Sequence, residues 1–164
     1  GLSGSGKGTV LKALEDLGYY SVDNLPLELI PKFAELTKDS ANIRCAALVV
    51  DIREGKLLRR FPEIFGHVHE HIPSRLIFMD ADDETLVRRF SETRRPHPLG
   101  TDESVLKSVR AERRHLAPIR KLAELVINTS KMNVHELREF IGERFRGQRD
   151  PSPRHAGSSP FAHA

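Results

Sequence analysis

The chain begins with the nine residues Gly-Leu-Ser-Gly-Ser-Gly-Lys-Gly-Thr at positions 1–9. Here Gly1, Gly6 and Lys7 fit the pattern G-x-x-x-x-G-K, and the apolar residues that follow recur at helical spacing as far as Gly18. Glycines let the backbone curl until successive N–H groups point at phosphate oxygens, and the start of a helix adds the positive end of its dipole. A glycine- and serine-rich turn before a helix is the structural alternative, but the glycine spacing, the lysine and the helix together favour a phosphate-binding loop.

The second half of this loop carries the predicted chemistry. Lys7 is a candidate catalytic residue because its ammonium group can reach the outer phosphates of a nucleotide. The next position, where a Ser or Thr hydroxyl usually meets magnesium, is Gly8, so the magnesium candidate of the loop is Thr9. The form Gly-Lys-Gly-Thr resembles that of adenylate-kinase-like enzymes. Because such loops follow a hydrophobic strand, we expect that this strand precedes residue 1, that the chain is a fragment or processed product, and that it binds nucleotide more weakly than a chain that keeps the strand.

Three continuous apolar runs follow at residues 44–51, 75–80 and 124–130, each ending in polar residues. Such runs are typical of strands buried on both faces of a parallel sheet, and residues 19–24 predict one more short strand. Helical patterns lie around them at residues 29–36, 57–70, 83–94, 104–122 and 133–145, and Pro62 and Gly66 are expected to interrupt the second of these. The alternation predicts an α/β fold over residues 1–145, with a P-loop NTPase-type parallel sheet that lacks its first strand and is flanked by helices. Residues 146–164, rich in Pro, Gly and Ser, predict a disordered tail.

Acidic residues lie where three predicted strands end, at Asp23, Asp51 and Asp80. The nucleotide site of a parallel sheet lies outside the carboxyl ends of its strands. Asp51 closes a strongly apolar run, which suits a Walker-B carboxylate that holds hydrated magnesium, and it is the second candidate catalytic residue. Asp80 competes with it as a magnesium candidate. The alternative is that these acids, and Asp82 beside the next helix, only end strands or cap helices.

Residues 88–120 are rich in arginine. Arg94 and Arg95 end a helix and enter a loop, where they are candidates for a lid that clamps phosphate. A surface for RNA phosphates is the alternative function. For Arg110, Arg113 and Arg114 we expect a solvated helical face.

Composition excludes several classes of protein. The chain has 164 residues, with 26 Lys and Arg against 23 Asp and Glu, so the net charge of +3 demands no nucleic-acid partner. Its apolar runs are too short to cross a bilayer. One cysteine, Cys45, excludes an internal disulfide framework and fits the cytoplasm. The eight histidines form no ligand set, because His67, His69 and His71 are expected to scatter around a helix, and we predict no structural metal.

The ordered motifs resemble one bacterial family, the RapZ-type (YvcJ-type) P-loop nucleotide-binding proteins. The resemblance rests on the first loop, on Ala-Leu-Glu-Asp-Leu-Gly-Tyr-Tyr-Ser-Val-Asp-Asn-Leu-Pro, and on the later stretches Val-Asp-Ile-Arg, Phe-Met-Asp-Ala-Asp, Arg-Arg-Phe-Ser-Glu-Thr-Arg-Arg-Pro-His-Pro-Leu and Asn-Thr-Ser-Lys-Met-Asn-Val-His-Glu-Leu. It implies a kinase-like domain that binds ATP and GTP with magnesium and hydrolyses them slowly. The implied ATP site comprises Gly1, Leu2, Ser3, Gly4, Ser5, Gly6, Lys7, Gly8 and Thr9. The implied GTP motif comprises Asp51, Ile52, Arg53 and Glu54.

Three functions follow as hypotheses. The first is a regulatory nucleotide-binding domain with weak NTPase activity. The second is a small-molecule kinase in which Asp23 orients an acceptor hydroxyl. The third is an RNA-binding adapter, a role that some members of the family perform with a second domain. Nothing after Arg146 resembles that domain, so RNA binding is not expected of this chain. The sequence leaves open whether the chain forms a homo-oligomer.

Overall fold

A computed structural model describes residues 1–50, 52–93 and 104–148, and for residues 52–54 it describes the backbone alone. The described part is an α/β fold with six α-helices and four short strands, as the sequence predicts. The elements in chain order are α1 (Lys7–Asp16), β1 (Tyr20–Asp23), α2 (Ile30–Lys38), β2 (Ala46–Val49), α3 (Phe61–His71), β3 (Ile77–Asp80), α4 (Asp83–Thr93), α5 (Val105–Leu122), β4 (Leu125–Asn128) and α6 (Val134–Phe145).

The strands form two parallel pairs in the described residues. β1 pairs with β2, and β3 pairs with β4 in the register Met79 opposite Ile127. The carbonyl of Asp80 accepts from the amide of Thr129, whereas the carbonyl of Met79 accepts from the amide of Leu2 at 3.0 Å. Because alternate residues of a strand point their polar groups to opposite edges, Leu2 lies on the edge of β3 that faces away from β4. The loop of residues 1–9 therefore begins beside β3, on the edge away from β4.

Two apolar clusters lie on opposite faces of β3. Phe78 packs with Leu2, Leu86 and Val109 among others, and Met79 packs with residues of α1 and α6 that include Val10. Successive strand residues point to opposite faces, so both sides of β3 are covered by helices. This double burial explains why its sequence is continuously apolar.

The helix predicted at residues 57–70 is divided. A 3-10 segment, Ile52–Arg60, is interrupted at Gly55, where φ is +57°, and α3 starts only at Phe61. Pro62 lies in the first turn of α3, where a missing N–H removes no helical hydrogen bond, and the helix runs through Gly66. Proline thus marks the beginning of this helix and not an interruption of it.

Candidate functional site

The loop of residues 1–9 curls through two glycines with positive φ. Gly4 has φ +79° and Gly6 has φ +99°, values that disfavour any residue with a Cβ. Gly6 is the N-cap of α1 and offers no side chain to the first turn of that helix. The first N–H groups of a helix have no partner within it, and they bind anions readily. The start of α1 thus has the backbone shape that the sequence predicts, with no side chain of Gly6 to cap the first turn.

Lys7 folds back over the start of this loop. Its Nζ donates to the carbonyl oxygens of Gly1 at 3.0 Å and of Leu2 at 2.9 Å. Ser5 supports the same turn, since its Oγ also donates to the Leu2 carbonyl. The ammonium charge is therefore held against the loop that the sequence assigns to phosphate.

Three side chains from distant elements hold the loop. Glu112 of α5 accepts from the amide and the Oγ of Ser3, at 2.9 and 2.8 Å. Arg89 of α4 donates to the Gly4 carbonyl at 2.9 Å, and Thr129, directly after β4, donates its Oγ1 proton to the Ser5 carbonyl at 2.8 Å. These bonds fix polar groups of three consecutive loop residues.

Arg89 and Thr129 are also joined to each other. Arg89 donates to the Thr129 hydroxyl at 3.0 Å and to its carbonyl at 2.7 Å. Partial burial, followed by the neighbouring charge of Arg88, lowers the pKa of Arg89 from its usual value. A guanidinium remains protonated at any physiological pH, so Arg89 brings a positive charge to the loop.

Thr129→Val should lower the free energy of unfolding by about 1–2 kcal/mol, because Thr129 is 1% exposed and valine leaves the Ser5 carbonyl without this donor. Urea denaturation measures the change. Thr129→Ser keeps the hydroxyl and should recover most of the loss. If valine and threonine give equal stability, the hydroxyl does not hold the loop.

Asp80, a magnesium candidate by sequence, is 6% exposed and lies in an arginine network. Its Oδ1 accepts from Arg113 at 2.7 Å and from the Ala81 amide at 2.9 Å, and its Oδ2 accepts from Arg120 at 3.3 Å. Arg113 donates further to the Ala81 carbonyl and to Asp83. Both carboxylate oxygens of Asp80 therefore already bind cations of the protein itself, and magnesium ligation by this residue stays a prediction.

The expectation of a solvated face is wrong for Arg113. Burial alone would lower its pKa, but the hydrogen bonds and charges of Asp80 and Asp83 outweigh burial and raise the pKa above the usual value. Arg110 fits the expectation better, since it is exposed and lies 3.4 Å from Asp83. Arg114 is exposed. The sequence could not separate these arginines, because only the fold shows which of them faces β3.

Comparison with known proteins identifies the family of the chain. Residues 1–149 match the family model of the RapZ-like N-terminal domain. The chain belongs to this family. A nucleotide-binding protein of Solibacter usitatus is 67% identical over 93% of the chain and 48% of its own length. One from Koribacter versatilis is 61% identical over 88% of the chain and 47% of its own length. The RapZ-like chain thus spans about half the length of the curated relatives it matches.

The remaining predicted site residues of this RapZ-like domain are placed as follows. Asp51, Arg94 and Arg95 lie outside the described residues, as do residues 149–164 of the predicted tail. The backbone of residues 52–54, the rest of the predicted GTP motif, belongs to the 3-10 segment before α3. Thr9 is half-buried in the first turn of α1.

Two other acids at strand ends take different places in the RapZ-like domain. Asp23 is exposed at the end of β1, and Asn24 behind it has φ +55°. Asp82 faces the neighbouring loop: its amide donates to the Ser130 hydroxyl at 2.8 Å, and its carboxylate accepts from Asn128 at 3.4 Å. The carboxyl ends of β3 and β4 are therefore joined by polar contacts, and Thr129 beside them contacts the loop of residues 1–9.

The histidines of α3 do not all scatter as expected. His67 and His71 share a face because they are four residues apart, and their ring centroids lie 4.8 Å from each other. His69 points elsewhere and stacks on Phe65. In the described parts of the RapZ-like domain no three His, Cys, Asp or Glu side chains form a group that could hold a metal ion. None of the described helices is long and apolar enough to cross a membrane.

Proposed function

We propose that this RapZ-like domain binds ATP through residues 1–9 and GTP through Asp51, Ile52, Arg53 and Glu54, each as a magnesium complex. We propose further that it hydrolyses both nucleotides slowly and acts as a regulatory domain in the cytoplasm. The observation that carries the proposal is the shape of the loop, in which Gly4 and Gly6 adopt positive φ directly before the start of α1. The curated relatives are named nucleotide-binding proteins, which supports the same ligand class.

The contacts around the loop favour phosphate as the group that it takes. The side chains of Glu112, Arg89 and Thr129 form hydrogen bonds with polar groups of residues 3–5. The N-cap residue of α1, Gly6, has no side chain that could bond to the N–H groups of the first turn. Because the loop is already held in shape, little conformational entropy is lost when phosphate binds. Lys7 and Arg89 supply positive charge for the anion.

Magnesium is part of the proposal because a triphosphate needs a counterion. Thr9 lies two residues after Lys7 and places a hydroxyl in the first turn of α1. Asp51 supplies a carboxylate, a ligand that magnesium prefers. We favour these two over Asp80, whose oxygens accept from Arg113 and Arg120. The metal would neutralise charge on the phosphates. The chain's own groups would hold and orient them.

Titration of the full chain with ATP and with GTP, each with and without magnesium, tests the proposal. We expect saturable heat in a calorimeter for both nucleotides, stronger with magnesium, and a rise in melting temperature with nucleotide concentration. At a ligand concentration of 100 times Kd the stabilisation should reach about 2.7 kcal/mol. Absence of heat and of any thermal shift at millimolar nucleotide would overturn the assignment. Release of phosphate without transfer to added sugars or nucleosides separates slow hydrolysis from a small-molecule kinase.

A further inference from the structure

Glu112 is a fully buried acid in the middle of the basic helix α5. It is 0% exposed, and its Oε1 accepts two hydrogen bonds from Ser3, which lies 109 residues earlier in the chain. One bond comes from the backbone amide and the other from the hydroxyl. A single carboxylate oxygen thus fixes both the main chain and the side chain of one loop residue.

The helix that carries Glu112 is firmly anchored on both sides of it. Val109 and Leu116, one turn before and one turn after, belong to the main apolar cluster. The next residue, Arg113, is bound to Asp80 and Asp83 at the end of β3 and the start of α4. Packing and hydrogen bonds on both sides of Glu112 therefore fix the position of its carboxylate relative to Ser3.

Ser3 is the residue directly before Gly4, the first of the two loop glycines with positive φ. The backbone reverses at Gly4 and again at Gly6, both at positive φ. A buried polar group keeps its place only when it is hydrogen-bonded. Without Glu112, the buried Ser3 amide and hydroxyl would lose this acceptor. They could then hydrogen-bond to water only if the backbone of the first half of the loop moved.

We propose that Glu112 is a positioning residue of the phosphate-binding loop. Acting through Ser3, it holds residues 3–6 in the shape that binds nucleotide phosphate by accepting hydrogen bonds from the Ser3 amide and hydroxyl. The inference rests on the proposed function for its effect on affinity, but its effect on the loop itself is independent of any ligand.

The experiment uses the full chain with four variants. Glu112→Gln keeps an acceptor oxygen of similar shape, Glu112→Ala removes it, Ser3→Ala removes one of the two donors, and Glu143→Ala is the control at an exposed glutamate of α6. Affinity for ATP with magnesium is measured by calorimetry. Hydrogen exchange of peptides covering residues 1–9 and 109–122 is compared in the absence of nucleotide.

We expect wild-type affinity for Glu112→Gln and Glu143→Ala, a loss of about tenfold for Glu112→Ala, and an intermediate loss for Ser3→Ala. Exchange in residues 1–9 should quicken in Glu112→Ala and stay unchanged in Glu112→Gln. Equal affinity and equal exchange in Glu112→Ala would overturn the proposal, and so would a loss in Glu112→Gln as large as that in the alanine variant.

Two further outcomes are also decisive. If Glu112→Ala does not fold, Ser3→Ala at wild-type melting temperature decides, since unchanged affinity and unchanged exchange in the loop would refute the role. If the wild-type chain binds no nucleotide, the proposed function fails, while exchange in residues 1–9 still decides whether Glu112 positions the loop.

Discussion

Replacing Lys7 by alanine should weaken ATP binding by about a hundredfold while the fold is kept. The Nζ of Lys7 lies 3.0 Å from the Gly1 carbonyl and 2.9 Å from the Leu2 carbonyl, so its charge is already held at the loop before any ligand arrives. A hydrogen bond from a charged donor contributes about 1.5–3 kcal/mol, and 2.7 kcal/mol corresponds to about a hundredfold in Kd. Calorimetry with ATP and magnesium measures the loss.

A matched control for this variant lies in the same helix. Lys12 is exposed and forms ion pairs with Glu15 and Asp16 on the outer face of α1. Lys12→Ala removes the same charge from the chain and should leave Kd within about twofold, because exposed ion pairs contribute little. Should the two variants lose equal affinity, net charge would explain the result and Lys7 would have no specific role at the phosphates.

The shape of the loop at residues 1–9 could be predicted from sequence because all of its determinants are local. Glycine spacing, Lys7 and the helical pattern after it lie within one stretch, and the structure gives Gly4 and Gly6 positive φ as this pattern requires. The strands and helices were likewise predictable from periodicity. The start of α3 could not be predicted in this way, because a proline such as Pro62 can either break a helix or lie in its first turn. The local sequence pattern alone does not distinguish these two cases.

The support of the loop could not be predicted, because it comes from residues far away in the chain. Glu112 and Thr129 contact loop residues that lie 109 and 124 positions earlier, and Arg89 reaches one 85 positions earlier. Each looks ordinary in its own segment: an acid among bases, a threonine after a strand, an arginine in a charged helix. One signal in the sequence could have indicated that Glu112 is buried. It is the one acid in a basic helix whose apolar residues recur at the spacing of a core-facing side.

Arg113→Ala should lower the free energy of unfolding by about 2 kcal/mol. Arg113 donates to Asp80, Asp83 and the Ala81 carbonyl, and it joins α5 to the end of β3. Hydrogen bonds to charged groups contribute about 1.5–3 kcal/mol, and solvent screens part of this contribution because the Arg113 side chain is 35% exposed. Asp80 keeps Arg120 and the Ala81 amide, so the lower end of that range applies.

Two further variants show whether geometry or charge is responsible. Arg114→Ala removes an exposed guanidinium from the next position of the same helix and should change stability by less than about 0.5 kcal/mol. Arg113→Lys keeps the charge but loses the planar fork that reaches three acceptors, so it should recover only part of the stability. Urea denaturation monitored by circular dichroism gives all three values. Equal midpoints for the alanine variants at 113 and 114 would mean that Arg120 and the Ala81 amide satisfy Asp80 without Arg113. The apolar face of α5 would then be what holds this helix to β3.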